Sequence, residues 1–247
     1  MNRFLASVVL LFLLSTAGAF GQTYSGERKF DGVHKNEIAG NLAGGYNTVS
    51  GVLIGEAGFY THHFTDRWSI TGGEQVQFIK WLFSIDAMGT YRLPLKRTNL
   101  YFDAHLINNF YTRWGFHEFI ANASAYWETN FVDIRFGMSY IRYLKYDVKG
   151  MYRFFTDDGY TEPPTLIFGL GINIRPRNNP WNLGFFIRNY YQFYYENWNI
   201  NWGIRAHVRV TDDLKIFSEF NVRPAGSLSQ LATRYETSLK AGVRYVW

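Results

Sequence analysis

Six histidines are the side chains here whose ordinary titration lies near neutral pH, and none stands where a strand would put a serine nucleophile beside it. A base and a hydroxyl on one face of a strand are two residues apart. His34, His62, His63, His105, His117 and His207 are followed at that distance by Asn36, Phe64, Thr65, Ile107, Phe119 and Arg209; the nearest approximation, His63-Phe64-Thr65, falls in a turn. His62 and His63 with Asp66 offer metal-ligand chemistry, but neighbours on a strand point to opposite faces, which favours turn capping. Cysteine is absent, which removes disulfides, thiolate metal sites, thiol nucleophiles and a lipid-modified cysteine. The run from Gly40 to Gly45 lacks the lysine and strand-to-helix context of a phosphate loop. No catalytic residue, metal site or cofactor is therefore expected, and a lipid-modifying enzyme is the least favoured function.

The chemistry that remains is charge, spaced singly at every second residue. From 197 to 210, Trp198, Ile200, Trp202, Ile204, Ala206, Val208 and Val210 alternate with Asn197, Asn199, Asn201, Gly203, Arg205, His207 and Arg209. Residues 131–146 and 234–247 repeat the pattern. This period of two marks strands with one oily and one wet face. The segments run longer than ordinary soluble strands and suit a tilted membrane-spanning strand of about 9–11 residues with extensions. Aromatics make up 19% of the chain, too many for a water-facing surface. A net charge of +5, with basic residues spread singly along strands, argues against nucleic acid as a partner.

Polar turns at 64–67, 94–97, 128–130, 176–180 and 211–213 punctuate the pattern. The expected strands are 36–46, 51–62, 67–76, 79–92, 98–110, 116–127, 131–146, 165–175, 181–194, 198–210, 213–223 and 234–247. The expected fold is an all-β, transmembrane, antiparallel up-and-down barrel of about twelve strands, with ten as the alternative because the glycine-rich 36–62 hairpin is weakly apolar and Glu74 falls on the nominal lipid face. The longest connections, 147–164 and 224–233, lie opposite the termini, where extracellular loops belong. Trp68, Trp81, Trp127, Trp181, Trp198 and Trp247 fall at strand ends on the oily face, the place of a membrane-interface girdle.

At the N-terminus Arg3, an apolar stretch from Phe4 to Leu14 and small residues at Ala17, Ala19 and Gly21 form a secretory signal, expected to be cleaved after residue 19 or 21. The expected organisation is 1–21 signal peptide, 22–35 periplasmic segment and 36–247 one barrel domain. The closing run Ala241-Gly242-Val243-Arg244-Tyr245-Val246-Trp247 resembles the terminal strand signal of bacterial outer-membrane barrels. That resemblance covers this strand alone. It implies a Gram-negative outer-membrane location, contact with outer-membrane lipid, and the barrel-assembly machinery as a partner.

In a closed barrel the wet face is the lumen. In the last third it carries Arg175, Arg188, Arg205, His207, Arg209, Lys215, Arg223, Arg234, Lys240 and Arg244, a basic wall. The facing wall leans acidic, with Glu37, Glu56, Asp86, Asp103, Glu118, Glu128 and Asp133, diluted by Lys80, Arg92 and Arg135. Tyr190, Gln192 and Tyr194 also point inward, toward the outer mouth. Charges in a membrane must be paired or hydrated, so two arrangements are open: ion pairs in a plugged barrel, or a water-filled pore. The favoured expectation is a passive, porin-like channel for small hydrophilic solutes with a preference for anions, since arginine forks suit carboxylates and phosphates. The twelve-strand architecture resembles channels for acidic oligosaccharides. The main alternative is a plugged structural or adhesive barrel acting through loop 147–164, rich in Met151, Tyr152, Phe154, Phe155 and Tyr160; the same loop folded inward would instead constrict a pore.

Overall fold

A computed structural model describes residues 36–47, 51–78, 82–96, 98–111, 116–129, 131–145, 160–161, 164–174, 180–189, 200–224 and 235–247. The signal peptide and the 22–35 segment lie outside them. The strands are β1 (Asn36–Asn47), β2 (Gly51–His63), β3 (Trp68–Gln77), β4 (Leu82–Pro94), β5 (Asn99–Tyr111), β6 (Phe116–Glu128), β7 (Val132–Lys145), β8 (Tyr160–Thr161), β9 (Thr165–Ile174), β10 (Trp181–Arg188), β11 (Asn201–Arg209), β12 (Leu214–Pro224) and β13 (Tyr235–Val246). Twelve are long; β8 is a two-residue strip on β7, with Arg142 opposite Thr161 and Tyr143 opposite Tyr160.

Each long strand pairs antiparallel with its sequence neighbours, and the ring closes where Glu37 of β1 meets Val246 of β13. The result is a closed, twelve-stranded, up-and-down β-barrel. Closure leaves no unpaired edge, which is what strands need when surrounded by hydrocarbon. The ten-strand alternative fails because β1 and β2 pair without a break from Asn36↔His62 to Asn47↔Gly51. Gly51 opens β2 at φ +77°, a left-handed value that glycine adopts without steric cost.

Pleating sorts the side chains. On β9, Leu166, Leu170, Ile172 and Ile174 are exposed on the outer face while Ile167 and Asn173 are buried within. The same split recurs on β5, where Phe102 and Leu106 face out and Asp103, His105 and Asn109 face in. The end at which β1 starts and β13 finishes is termed the lower rim. Its turns are built by threonines: Thr65 Oγ1 accepts from the amides of Arg67 and Trp68 at 3.2 and 3.0 Å, Thr129 from those of Phe131 and Val132 at 3.2 and 2.8 Å, and Thr211 from that of Leu214 at 3.0 Å. A hydroxyl that satisfies turn amides lets two long strands reverse in four residues. Trp68, Trp127, Trp181 and Trp247 stand exposed at this rim; Trp81 and Trp198 lie outside the described residues.

The lumen as candidate functional site

Three tiers of side chains fill the inward rows. At the lower rim, Arg244 pairs with Glu37, Thr61 and Thr71 share a hydroxyl hydrogen bond of 2.8 Å, and Tyr101 donates to Glu128 at 3.2 Å. At mid-height the groups are amides, carboxylates and cations in contact. Gln75 donates to Asp86, which also takes His105 Nε2 at 2.9 Å; Ser84 donates to Asn109, which passes its own N–H to Glu118 at 2.6 Å. Arg135 meets Asp103 at 3.0 Å, and on that carboxylate's other oxygen Thr90 donates at 2.8 Å. Toward the upper rim, Glu219 is shared by Arg188 at 2.8 Å and Lys240 at 3.7 Å.

Arg205 shows how the wall is shaped to hold a charge. It sits on β11 opposite Gly184 of β10, and Asp133 on β7 sits opposite Gly171 of β9. Those two glycines open a groove across β10 and β9. Along it the guanidinium reaches Asp133 at 2.5 Å and Asn173 Oδ1 at 2.9 Å, while the Asn173 amide donates to Asp133 at 2.6 Å. A Cβ on Gly184 would come within 2.8 Å of both Arg205 Nε and Asn173 Oδ1, and one on Gly171 within 3.0 Å of Arg205 Nη2.

Of the residues expected in the basic wall, Arg188, Arg205 and Lys240 are buried on inward rows; His207, Lys215 and Arg244 are half-buried there, and Arg209 is exposed near the lower rim. Arg175 and Arg234, the side chain of Arg223, and Tyr190, Gln192 and Tyr194 lie outside the described residues. Asp86, Asp103, Glu118 and Asp133 point inward and are buried. Glu56 is a correction. It lies opposite Leu42 and Val76, in step with Ile54 and Tyr60, so it belongs to the outer face, as does Glu74. The β2 sequence has apolar residues at both parities, Leu53 and Phe59 as well as Val52 and Ile54, so its phase is set by pairing with β1 and β3. The separation into a basic and an acidic wall also gives way, in the described rows, to stitching: Arg205 and Arg135 each hold a carboxylate of the expected acidic side, and Arg188 and Lys240 share Glu219.

Sequence reasoning that followed charges missed an apolar cluster on the same inward parity. Leu82, Ile107, Tyr111, Ile120, Ile141 and Tyr143 pack together in the upper half of β4 to β7. Parity alone marks these positions, had apolar residues been followed through it too. Of the histidines raised as catalytic candidates, His105 is inward and held by Asp86. His117 faces outward, 3.0 Å from Asn108 Oδ1, opposite Phe110 and Leu144, which are not nucleophiles.

No protein-family model matches the sequence, and no curated protein does. Solved structures match over nearly the whole described barrel. The fold is that of an outer-membrane β-barrel. The KdgM porin aligns at TM-score 0.54 and 8% identity over 85% of this chain and 99% of its own, and is also known in complex with disordered oligogalacturonate. An outer-membrane channel from Pseudomonas putida F1 aligns at 0.53 and 11% over 92% and 100%. The translocator domain of the autotransporter NalP from Neisseria meningitidis aligns at 0.52 and 14% over 98% and 96%. Identities this low speak for a shared barrel architecture and leave function to the site itself.

Proposed function

We propose that this outer-membrane barrel is a passive channel for small hydrophilic solutes, with residues 1–21 as its export signal, 22–35 as a periplasmic segment and the lower rim facing the periplasm. The observation that carries the reading is the mid-height tier. Inside an apolar outer belt, hydrogen-bonding side chains ring the lumen and their charges are tied back to the wall, which suits passage of polar solutes. The terminal β13, from Tyr235 to Val246, is the segment offered to the assembly machinery.

Anion preference is proposed to arise at the lower mouth, where cations cluster, one of them, Arg244, also holding Glu37. Arg209 lies opposite Lys215, and Lys215 opposite Arg244, three cations in one row. Like charges directly opposite one another repel, and an anion relieves that repulsion. Conductance in planar bilayers with a salt gradient tests both points together. Discrete current steps and a reversal potential on the anion side are expected, with Arg209→Gln plus Lys215→Gln moving that potential toward zero. Absence of steps from folded protein, with liposomes that stay closed to small sugars, would falsify the channel.

A plugged structural barrel is the second reading, and the inward apolar cluster at Leu82, Ile107 and Ile120 favours it. The same bilayer experiment separates the two. The lipid-modifying enzyme gains no support from the strand residues facing His105 and His117.

A further inference from the structure

The outer surface differs from one side of the barrel to the other. On β9 the outward positions are Leu166, Phe168, Leu170, Ile172 and Ile174, all large and apolar, as a surface against hydrocarbon requires. Across β2 to β6 the outward rows at mid-height are small. Gly72 of β3 lies opposite Ala87 of β4, and Gly89 of β4 lies opposite Ala104 of β5, itself opposite Ala123 of β6. They form a shallow trough, with Ile70 and Phe102 below it and Ile85 and Phe110 above. Small side chains let the surfaces of two membrane proteins approach closely.

Polar groups stand on the same face. Glu56 is 9% exposed and, like Glu74, neither accepts a hydrogen bond nor meets a cation among the described residues. Asn108 takes the His117 Nδ1–H on its carbonyl oxygen at 3.0 Å, and its NH2 group has no acceptor among the described residues. Glu74, Ile85 and Asn108 follow one another along a single outward row on β3, β4 and β5. Glu74 stands about 15 Å above Trp68, and Asn108 about 20 Å above Leu100, the residue opposite Trp127. Both therefore lie inside an apolar band about 25 Å tall, where an unmet carboxylate or amide is unfavourable. The face carries an acceptor on β3 and a donor on β5, at depths about 5 Å apart, within the combined reach of the two side chains. Twelve strands place each about 30° around the barrel, so β3 and β5 are about 60° apart. In a closed ring of three equal barrels, the two contact lines on each barrel are separated by that same angle of about 60°.

We propose that the outer face of β2 to β6 docks a second copy of this chain, three copies closing into a ring in which Glu74 of one barrel accepts from the Asn108 amide of the next. The contact joins two different edges of the face, so it repeats head to tail and closes. In a lone barrel the carboxylates meet hydrocarbon; in the ring the neighbouring barrel covers them. The chain has no cysteine, which permits a direct test. Glu74→Cys, Asn108→Cys and the double variant are oxidised in isolated outer membranes and run on non-reducing gels. The double variant is expected to give covalent species of two and three chains, and each single variant none. A bridge within one chain is excluded, because the two positions are about 10 Å apart and a disulfide needs Cα atoms within about 7 Å. Light scattering of the parent protein in mild detergent is expected to give three times the chain mass. Ala104→Trp, which fills the trough, is expected to give single barrels that keep the gel shift of a folded barrel, and Leu170→Trp on β9 to leave the mass unchanged. A parent protein of one chain mass overturns the proposal, as do single cysteine variants that cross-link to themselves, a double variant that does not cross-link, or a folded Ala104→Trp that stays trimeric. If Ala104→Trp does not fold, the cysteine pair and the parent mass decide. None of these measurements involves the lumen, so the channel reading stands or falls separately.

Discussion

Replacing Gly184 by alanine tests whether the wall is cut to fit Arg205. The new Cβ would stand 2.8 Å from both Arg205 Nε and Asn173 Oδ1, closer than real Cβ contacts, so the arginine must leave the groove. Out of the groove it gives up Asp133 at 2.5 Å and Asn173 at 2.9 Å. Removing one partner of a buried ion pair costs about 3–5 kcal/mol, and Arg205→Ala, which leaves Asp133 the Asn173 amide but no guanidinium, should fall in that range. Gly184→Ala keeps the cation, which can rehydrate in the lumen, and alanine lowers the entropy of the unfolded chain by the equivalent of about 0.4–1 kcal/mol. Its net cost should therefore be smaller, about 1–2 kcal/mol. Urea unfolding in lipid vesicles, followed by tryptophan fluorescence, measures each variant and the double variant Gly184→Ala/Arg205→Ala. Once Arg205 is gone the methyl group meets only Asn173 Oδ1, a side-chain end that can shift, so the double variant should lose clearly less than the sum of the two single losses. Strict additivity, to within about 0.5 kcal/mol, would show that the glycine and the arginine act independently and would refute the argument.

Three further outcomes are expected. Glu74→Leu, on the outer face beside Glu56, should stabilise the barrel in vesicles by about 1 kcal/mol or more, since a carboxylate against hydrocarbon is unfavourable; an unchanged urea midpoint would place that face out of the lipid. Thr129→Val removes a hydroxyl that serves the Phe131 and Val132 amides and donates to the Val132 carbonyl at 2.7 Å, and should cost about 1–2 kcal/mol in the same assay. Glu219→Gln takes away the carboxylate shared by Arg188 and Lys240 and should cost about 3 kcal/mol while shifting the reversal potential further toward anions; an unmoved reversal potential would mean that solutes do not meet this pair.

The barrel was legible where one parity is apolar and the other polar. β11 reads Trp202, Ile204, Val208 against Asn201, Arg205, Arg209, and the structure keeps that division. It was not legible in β2, where apolar residues occupy both parities and glycines interrupt them, so Glu56 was assigned to the wrong face by its charge. The inward cluster at Leu82, Ile107 and Ile141 escaped for the converse reason: an apolar side chain at a wet parity looks like an irregularity until its neighbours across three strands prove to be apolar too.

The amino-acid order by itself determined the two-residue period and the polar turns, and narrowed the count to twelve strands or ten, because these depend on neighbours within a few residues; the unbroken pairing of β1 with β2 decided for twelve. Only the tertiary structure decided which carboxylate each cation holds. Rows around a barrel run across the chain, so Arg205 meets Asp133 from 72 residues away, over a groove made by glycines on two intervening strands. That geometry follows from the register of four strands, β7, β9, β10 and β11, and no local pattern contains it.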